Sequence, residues 1–304
     1  HLTINKFSDS NGGRKFISGN RCEKPLGIKK QSTLPNMYEY KLNKLKDLIA
    51  YRFYENPNQN PKIYKGKIGI PLGLNMYENL PFWHKLFSEL GFEVVVSPIS
   101  SHSTYGKGQY SIPSDTVCYP AKLMHGHIED LLEQGVEAIF YPCMSKSFQA
   151  SQNNADSSTK SYNCPVVAYY PELLANNVDR LKEVRFYYPY FGLHKKDNFY
   201  RKSSRFFGEL FSDFANAKES KKGFKTALKR TLKSTIKTTT KFLGLKDFTQ
   251  KELKSALDTA YTFREEWLAD IKSKGEQILE MIKTQNLKAI VLCGRPYHID
   301  PQIN

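Results

Sequence analysis

The cysteines are the residues of this chain whose type and placement could do chemistry. Cys118 lies in P-S-D-T-V-C-Y-P-A-K-L-M-H-G-H (113–127), just ahead of an amphipathic pattern that predicts a helix, and Cys143 closes E-A-I-F-Y-P-C (137–143), just after an apolar run that predicts a strand. A thiol at a helix N-terminus feels the partial positive charge of unpaired backbone N–H groups, which favours the thiolate. A thiol past a strand's carboxyl end opens, in a parallel α/β sheet, onto the crevice where ligands bind. Both placements point to a bound metal or metal cofactor. Cys164 precedes P-V-V-A-Y-Y (165–170), a near-continuous apolar run that reads as a strand. That puts Cys164 at the opposite end of the sheet from Cys143, as a small packing residue, unless the loop before it runs back over the crevice. Cys293 follows L-K-A-I-V-L (287–292), also read as a strand, and inert packing is its reading too.

Groups for proton transfer are fewer. His125 and His127 are two apart on the helix after Cys118 and so point to different sides; His127 falls nearer the apolar stripe and reads as a core residue. His125 shares the other face with Lys122 near Cys118, which makes it the candidate for proton transfer. Asn75, Tyr77 and Glu78 occupy a predicted loop at the same sheet edge as Cys143; they contact a substrate there, or belong to a solvated loop. Arg295 and His298, in C-G-R-P-Y-H-I-D-P (293–301), suit a phosphate or carboxylate, or contact with a further lobe.

The elements that must position these groups follow an α/β pattern. Residues 1–60 form a polar leader holding Cys22 and a helix predicted over 36–54. A Rossmann-like lobe is expected over 61–195: strand 67–72, helix 80–90 stopped by Gly91, strand 92–96, helix 120–133 with proline at its first position, and strands 137–141 and 165–170. Residues 196–286 read as helical and basic, with a long charged helix over 250–283, and 287–304 read as the first strand and loop of a second α/β lobe. The chain begins at His1 and stops soon after that strand, so it is expected to be a piece of a larger protein.

The formal net charge of +15 points less to nucleic acid than its size implies. Residues 195–246 hold 15 Lys and Arg against 4 Asp and Glu, which leaves about +4 for the rest of the chain. Within that segment, Phe224, Leu228, Leu232 and Ile236 recur at four-residue spacing among lysines, a pattern that fits an acidic membrane surface, an acidic partner or a solvated helix over the core. No nucleic-acid-binding motif accompanies the charge. Five widely spaced cysteines without a C-x-x-C pair argue against a secreted disulfide framework, and a cytoplasmic location with reduced thiols is expected.

Several strings, in order, resemble one family. F-I-S-G-N-R-C-E (16–23), G-L-N-M-Y-E-N-L-P-F-W (73–83), the segment around Cys118, the Y-P-C strand end, Y-N-C-P-V-V (162–167) and G-R-P-Y-H-I-D-P (294–301) resemble the large CoA-substrate-specific enzyme activases, relatives of the 2-hydroxyacyl-CoA dehydratases. The resemblance runs from about residue 15 to the end and weakens over 195–250. It implies an anaerobic iron-sulfur protein whose Rossmann-like lobes hold a [4Fe-4S] cluster through cysteines and receive a low-potential electron from an actin-like ATPase activator, fused or separate, with an acyl-CoA as substrate class. It selects Cys22 as a third ligand beside Cys118 and Cys143. Three thiolates would leave one iron open, whereas an electron-transfer cluster normally has four protein ligands. The chain has no actin-like D-x-G-[ST]-T loop and no G-x-x-x-x-G-K-[ST], so ATP is expected to act only through domains outside it. Zinc held by Cys118, Cys143 and His125 or His127 is the alternative metal, though structural zinc sites usually show tight local cysteine pairs. A non-catalytic interaction domain, zinc-bound or metal-free, and a membrane- or partner-binding module using the basic segment are the readings from other classes.

Overall fold

The computed structural model describes residues 3–7, 14–18, 34–51, 64–148, 162–194, 196–222 and 250–303. Cys22 and nearly all of the basic stretch 221–246 lie outside the described residues. The chain divides into two units, His1–Asn36 and Met37–Asn304. The first contains an antiparallel hairpin of β1 (Thr3–Phe7) and β2 (Arg14–Ser18), with Thr3 opposite Ser18 and Phe7 opposite Arg14.

The second unit is an α/β lobe of the Rossmann-like kind. Its sheet is parallel and holds β3 (Gly66–Ile70), β4 (Phe92–Val96), β5 (Ala138–Phe140) and β6 (Arg185–Tyr187) in the order β4-β3-β5-β6. The chain therefore steps from β3 to β4 on one side and returns to β5 on the other. That reversal makes the gap between β3 and β5, at their carboxyl ends, the topological switch point where open α/β sheets bind ligands. Ile68 and Ile70 on one face and Gly69 on the other are buried, as befits a strand covered on both faces.

Helices α1 (Met37–Ala50), α2 (Met76–Glu89), α3 (His102–Gly108), α4 (Tyr119–Glu133), α5 (Pro165–Asn177), α6 (Lys196–Lys222) and α7 (Gln250–Thr284) surround this sheet. α2 is buried on all but one narrow face, where Glu78, Lys85 and Glu89 recur at i, i+7 and i+11. Its Trp83 packs edge-on against Phe140 of β5, with ring centroids 4.8 Å apart, and stacks on Phe191 at 6.1 Å. Phe82 meets Tyr261 of α7 at 4.9 Å. α4 contributes Met124, Ile128 and Leu131, all fully buried, and its end is marked by Gly135 at φ +65°, a backbone region that favours glycine.

The structure corrects four expectations. Residues 165–170 begin helix α5 instead of a strand: Val167, Tyr170, Pro171 and Leu174 are buried at i, i+3, i+4 and i+7, a helical stripe that continues through Pro171. The fourth strand is β6, so residues 67–175 supply three strands of the sheet. α2 starts at Met76, four residues early, which moves Tyr77 and Glu78 from a loop into the first turn and makes Asn75 the N-cap. Residues 287–292 have no strand pairing and leave Ile290 88% and Val291 83% exposed; without a neighbouring strand their backbone has no ladder to join. Helix α3 had no counterpart in the sequence reading. No helix among the described residues is long and apolar enough to cross a membrane.

Candidate functional site

The carboxyl edge of β5 is fixed by its neighbours before any side chain is considered. Parallel pairing with β6 continues beyond the strand, because Cys143 N–H donates to Pro189 O (2.9 Å) and Phe191 N–H donates to Cys143 O (3.0 Å). Side chains alternate along such an extension, so Tyr141 and Cys143 share one sheet face while Phe140 points to the other, against Trp83 and Phe87. Cys143 is buried, and burial, with Glu172 second, pushes its thiol up to about 11. The Tyr141 hydroxyl is fully buried and has no hydrogen-bond partner among the described residues.

Cys164 comes to this same edge, contrary to the expectation from sequence. Met144 N–H donates to Ala168 O (3.0 Å) and Asn163 N–H donates to Ser145 O (2.9 Å), which fastens the start of α5 beside the residues after Cys143. The reason is the helix itself: a helix that follows a strand in an α/β unit starts where the strand ended. Cys164 is the N-cap of α5 and its sulfur accepts from Val167 N–H at 3.4 Å. Cys118 is the N-cap of α4, exposed, and its sulfur makes no capping bond. Two helix N-termini thus present cysteines, each with proline in the first turn.

Tyrosines link the three thiols. Burial raises the Tyr141 hydroxyl well above its ordinary range, and Cys143, Tyr170 and Cys164 add to the rise. Tyr170 is raised by burial and then by Cys118, and the half-buried Tyr297 by burial and then by Cys118 and Cys164. Cys118, Cys143 and Cys164 therefore lie within electrostatic reach of one tyrosine cluster. Among the described residues, no three Cys, His, Asp or Glu side chains stand close enough to hold a single metal ion. Cys293 is exposed on the segment after α7.

The histidines occupy separate networks. Ser111 Oγ–H donates to Gly108 O (3.0 Å), so Ser111 accepts from His125 Nδ1–H (2.7 Å), and His125 Nε2 is left to accept from Tyr170 O–H (3.0 Å). The two ring nitrogens of His125 are thus taken by Ser111 and Tyr170. Lys122 donates elsewhere, to Asp115 O at 2.9 Å. His127 is a core residue, as expected, and anchors a buried relay. Ser100 Oγ–H donates to Asp300, which leaves His127 Nε2–H to donate to Ser100 and Nδ1 to accept from Ser97, each at 2.9 Å, while Ser97 accepts Leu72 N–H at 2.8 Å. Asp300 is 1% exposed, so this relay ties the C-terminal turn (Pro296–Ile299) and its Tyr297 to the sheet edge.

Glu78 does not join the cysteines. It faces Arg264 of α7 and Lys41 of α1, and burial raises its carboxyl against the pull of those two cations. Arg264 packs 3.6 Å above the Phe148 ring. The sequence reading missed Tyr141, Tyr170, Tyr297, Ser100 and Asp300. The signal available for Tyr141 was its i, i+2 relation to Cys143; that for Tyr170 was the helical spacing of α5.

Residues 67–304 match the family described as the CoA enzyme activase uncharacterised domain. The chain belongs to that family. The match opens with β3 and takes in Cys118, Cys143, Cys164, His125 and Asp300, but neither the hairpin nor Cys22. No curated protein and no solved structure matches the chain.

The buried histidines give the activase domain a defined acid response. Burial lowers His84 and His125 to about 4 and His127 to about 3. Unfolded, each takes a proton near 6.5; folded, each stays neutral, so the unfolded state binds more protons as pH falls and stability declines below about 6.5. Each fully responsive histidine contributes about 1.4 kcal/mol per pH unit. Urea midpoints measured between pH 7 and pH 5 are expected to fall steadily, and His127→Gln to flatten the decline. A midpoint independent of pH over this window would contradict the assignment.

Proposed function

We propose that this activase domain holds an iron-sulfur cluster, of the [4Fe-4S] kind, at the carboxyl edge of its sheet, and accepts single electrons from an ATP-driven activator. What supports the reading is that Cys143 closes β5 beside the switch point, that α5 with its N-cap Cys164 is fastened to the residues just after it, and that Cys118 caps the N-terminus of α4. Cys22 remains a proposed ligand through the family resemblance, and Cys164 joins it as a candidate.

Such a cluster, when bound, supplies low-potential one-electron chemistry. The chain's own part is to bind and to exclude water. Cys143 offers a buried thiol that loses its proton on metal binding, so loading should strengthen as pH rises. His125 Nε2 accepts the Tyr170 hydroxyl proton and so fixes that hydroxyl's orientation. An acyl-CoA thioester is the substrate class the family supports, entering at the loops after β3 and β5.

Anaerobic isolation followed by iron, acid-labile sulfide and zinc analysis tests this reading. About four irons and four sulfides per chain are expected. About one zinc per chain, or no metal after reconstitution, would overturn it in favour of an interaction domain.

A further inference from the structure

Tyr141 carries a hydroxyl that nothing described in the protein accounts for. The side chain is fully buried, and its oxygen has no partner among the described residues. Buried polar groups are nearly always hydrogen-bonded, and one left unmet weakens the folding equilibrium by roughly tenfold or more. A phenylalanine would fill the same space without that cost.

The surroundings say where the missing acceptor belongs. Tyr141 shares a sheet face with Cys143, two residues further along the extension paired with Tyr190, and α5, capped by Cys164, is fastened beside that edge through Met144 N–H and Ala168 O. Tyr170 already donates to His125, and the Cys164 sulfur already accepts from Val167 N–H. We infer that Tyr141 donates a hydrogen bond to a sulfur of the group these thiols hold, and that this bond sets the group's reduction potential. The inference rests on the cluster reading above. A hydrogen bond to sulfur stabilises the reduced state, which carries more negative charge, and so raises the potential.

Tyr141→Phe tests it in two states of the protein. In the unloaded protein the variant should be no less stable than the wild type, with a folded-to-unfolded ratio equal or up to about tenfold higher, because an unmet donor has been removed. In the anaerobically reconstituted protein it should keep the wild-type iron and sulfide, and its midpoint potential should fall by about 59 mV, a tenfold change for a one-electron couple. Tyr169→Phe, at an exposed tyrosine, should leave the potential unchanged. A destabilised unloaded variant would show that the hydroxyl has a partner within the protein, and an unchanged potential at full iron content would show that it does not reach the cluster; either overturns the inference and leaves the cluster reading standing. A wild-type protein that takes up no iron or sulfide removes both.

Discussion

Cys143→Ala is expected to leave the reconstituted domain without iron or sulfide and without the broad brown absorbance of a cluster. The thiol is buried, and its backbone is pinned on both sides by Pro189 and Phe191, so its place at the sheet edge is fixed. Cys118→Ala should lose the metal as well, since Cys118 is the thiol that begins α4 on the Tyr170 side of the cluster of tyrosines. His125→Gln should keep full iron content, because both ring nitrogens of His125 are engaged by Ser111 and Tyr170. Matching far-ultraviolet spectra would confirm that the cysteine variants remain folded. Wild-type iron and sulfide in the Cys118 and Cys143 variants would sink the cluster assignment. Cys22→Ala and Cys164→Ala, analysed in parallel, then carry functional meaning. Loss of metal in both would mean four thiolates and a domain built for electron transfer, whereas loss in one alone would leave an iron open to substrate.

The part of this site legible in the sequence was the part that depends on short-range pattern. β3, β4 and β5 follow from apolar runs bounded by turn residues, and Cys143 at the carboxyl edge follows from the end of such a run. The α5 segment defeated the same logic. Six apolar residues without alternation fit a buried strand or a buried helix equally well, and the residues that decide, Pro171 and Leu174, lie beyond the run itself. That one misreading displaced Cys164 to the wrong end of the sheet and hid Tyr170. The Asp300 relay was illegible for another reason: Ser100 and Asp300 are 200 residues apart, and nothing local in D-P announces a buried carboxylate. Glu78 shows the converse. The sequence places it in a loop after β3, at the Cys143 edge of the sheet, whereas the early start of α2 puts it in the first turn of that helix, near Arg264 and Lys41.

Gly126→Ala is expected to destabilise the domain by about 3 kcal/mol or more, although alanine is the better helix former by about 1 kcal/mol. A Cβ at Gly126 would lie 1.7 Å from Thr104 O and 2.6 Å from Thr104 C, and one at Gly108 would lie 2.2 Å from Gly126 N. These are contacts between two backbones, α3 against α4, so no flexible side chain can give way. Thr104 is further held by its capping box with Ser101. Relief requires pushing the two helices apart at the turn that carries His125 and His127. The 2.9 Å bonds from His127 to Ser97 and Ser100 and the 3.0 Å bond from Tyr170 to His125 would stretch together, leaving buried polar groups unpaired. Total stability is typically about 5–15 kcal/mol, so the loss would be a large share of it. Gly275→Ala supplies the contrast: a Cβ there meets nothing within 4 Å in the middle of α7, and the variant should be more stable by about 0.5–1 kcal/mol. Urea unfolding of the two variants beside the wild type should therefore give shifts of opposite sign. If both substitutions stabilise, α3 does not lie against α4 as closely as Gly108 and Gly126 permit, and the positions of both histidines at the site fall with that contact.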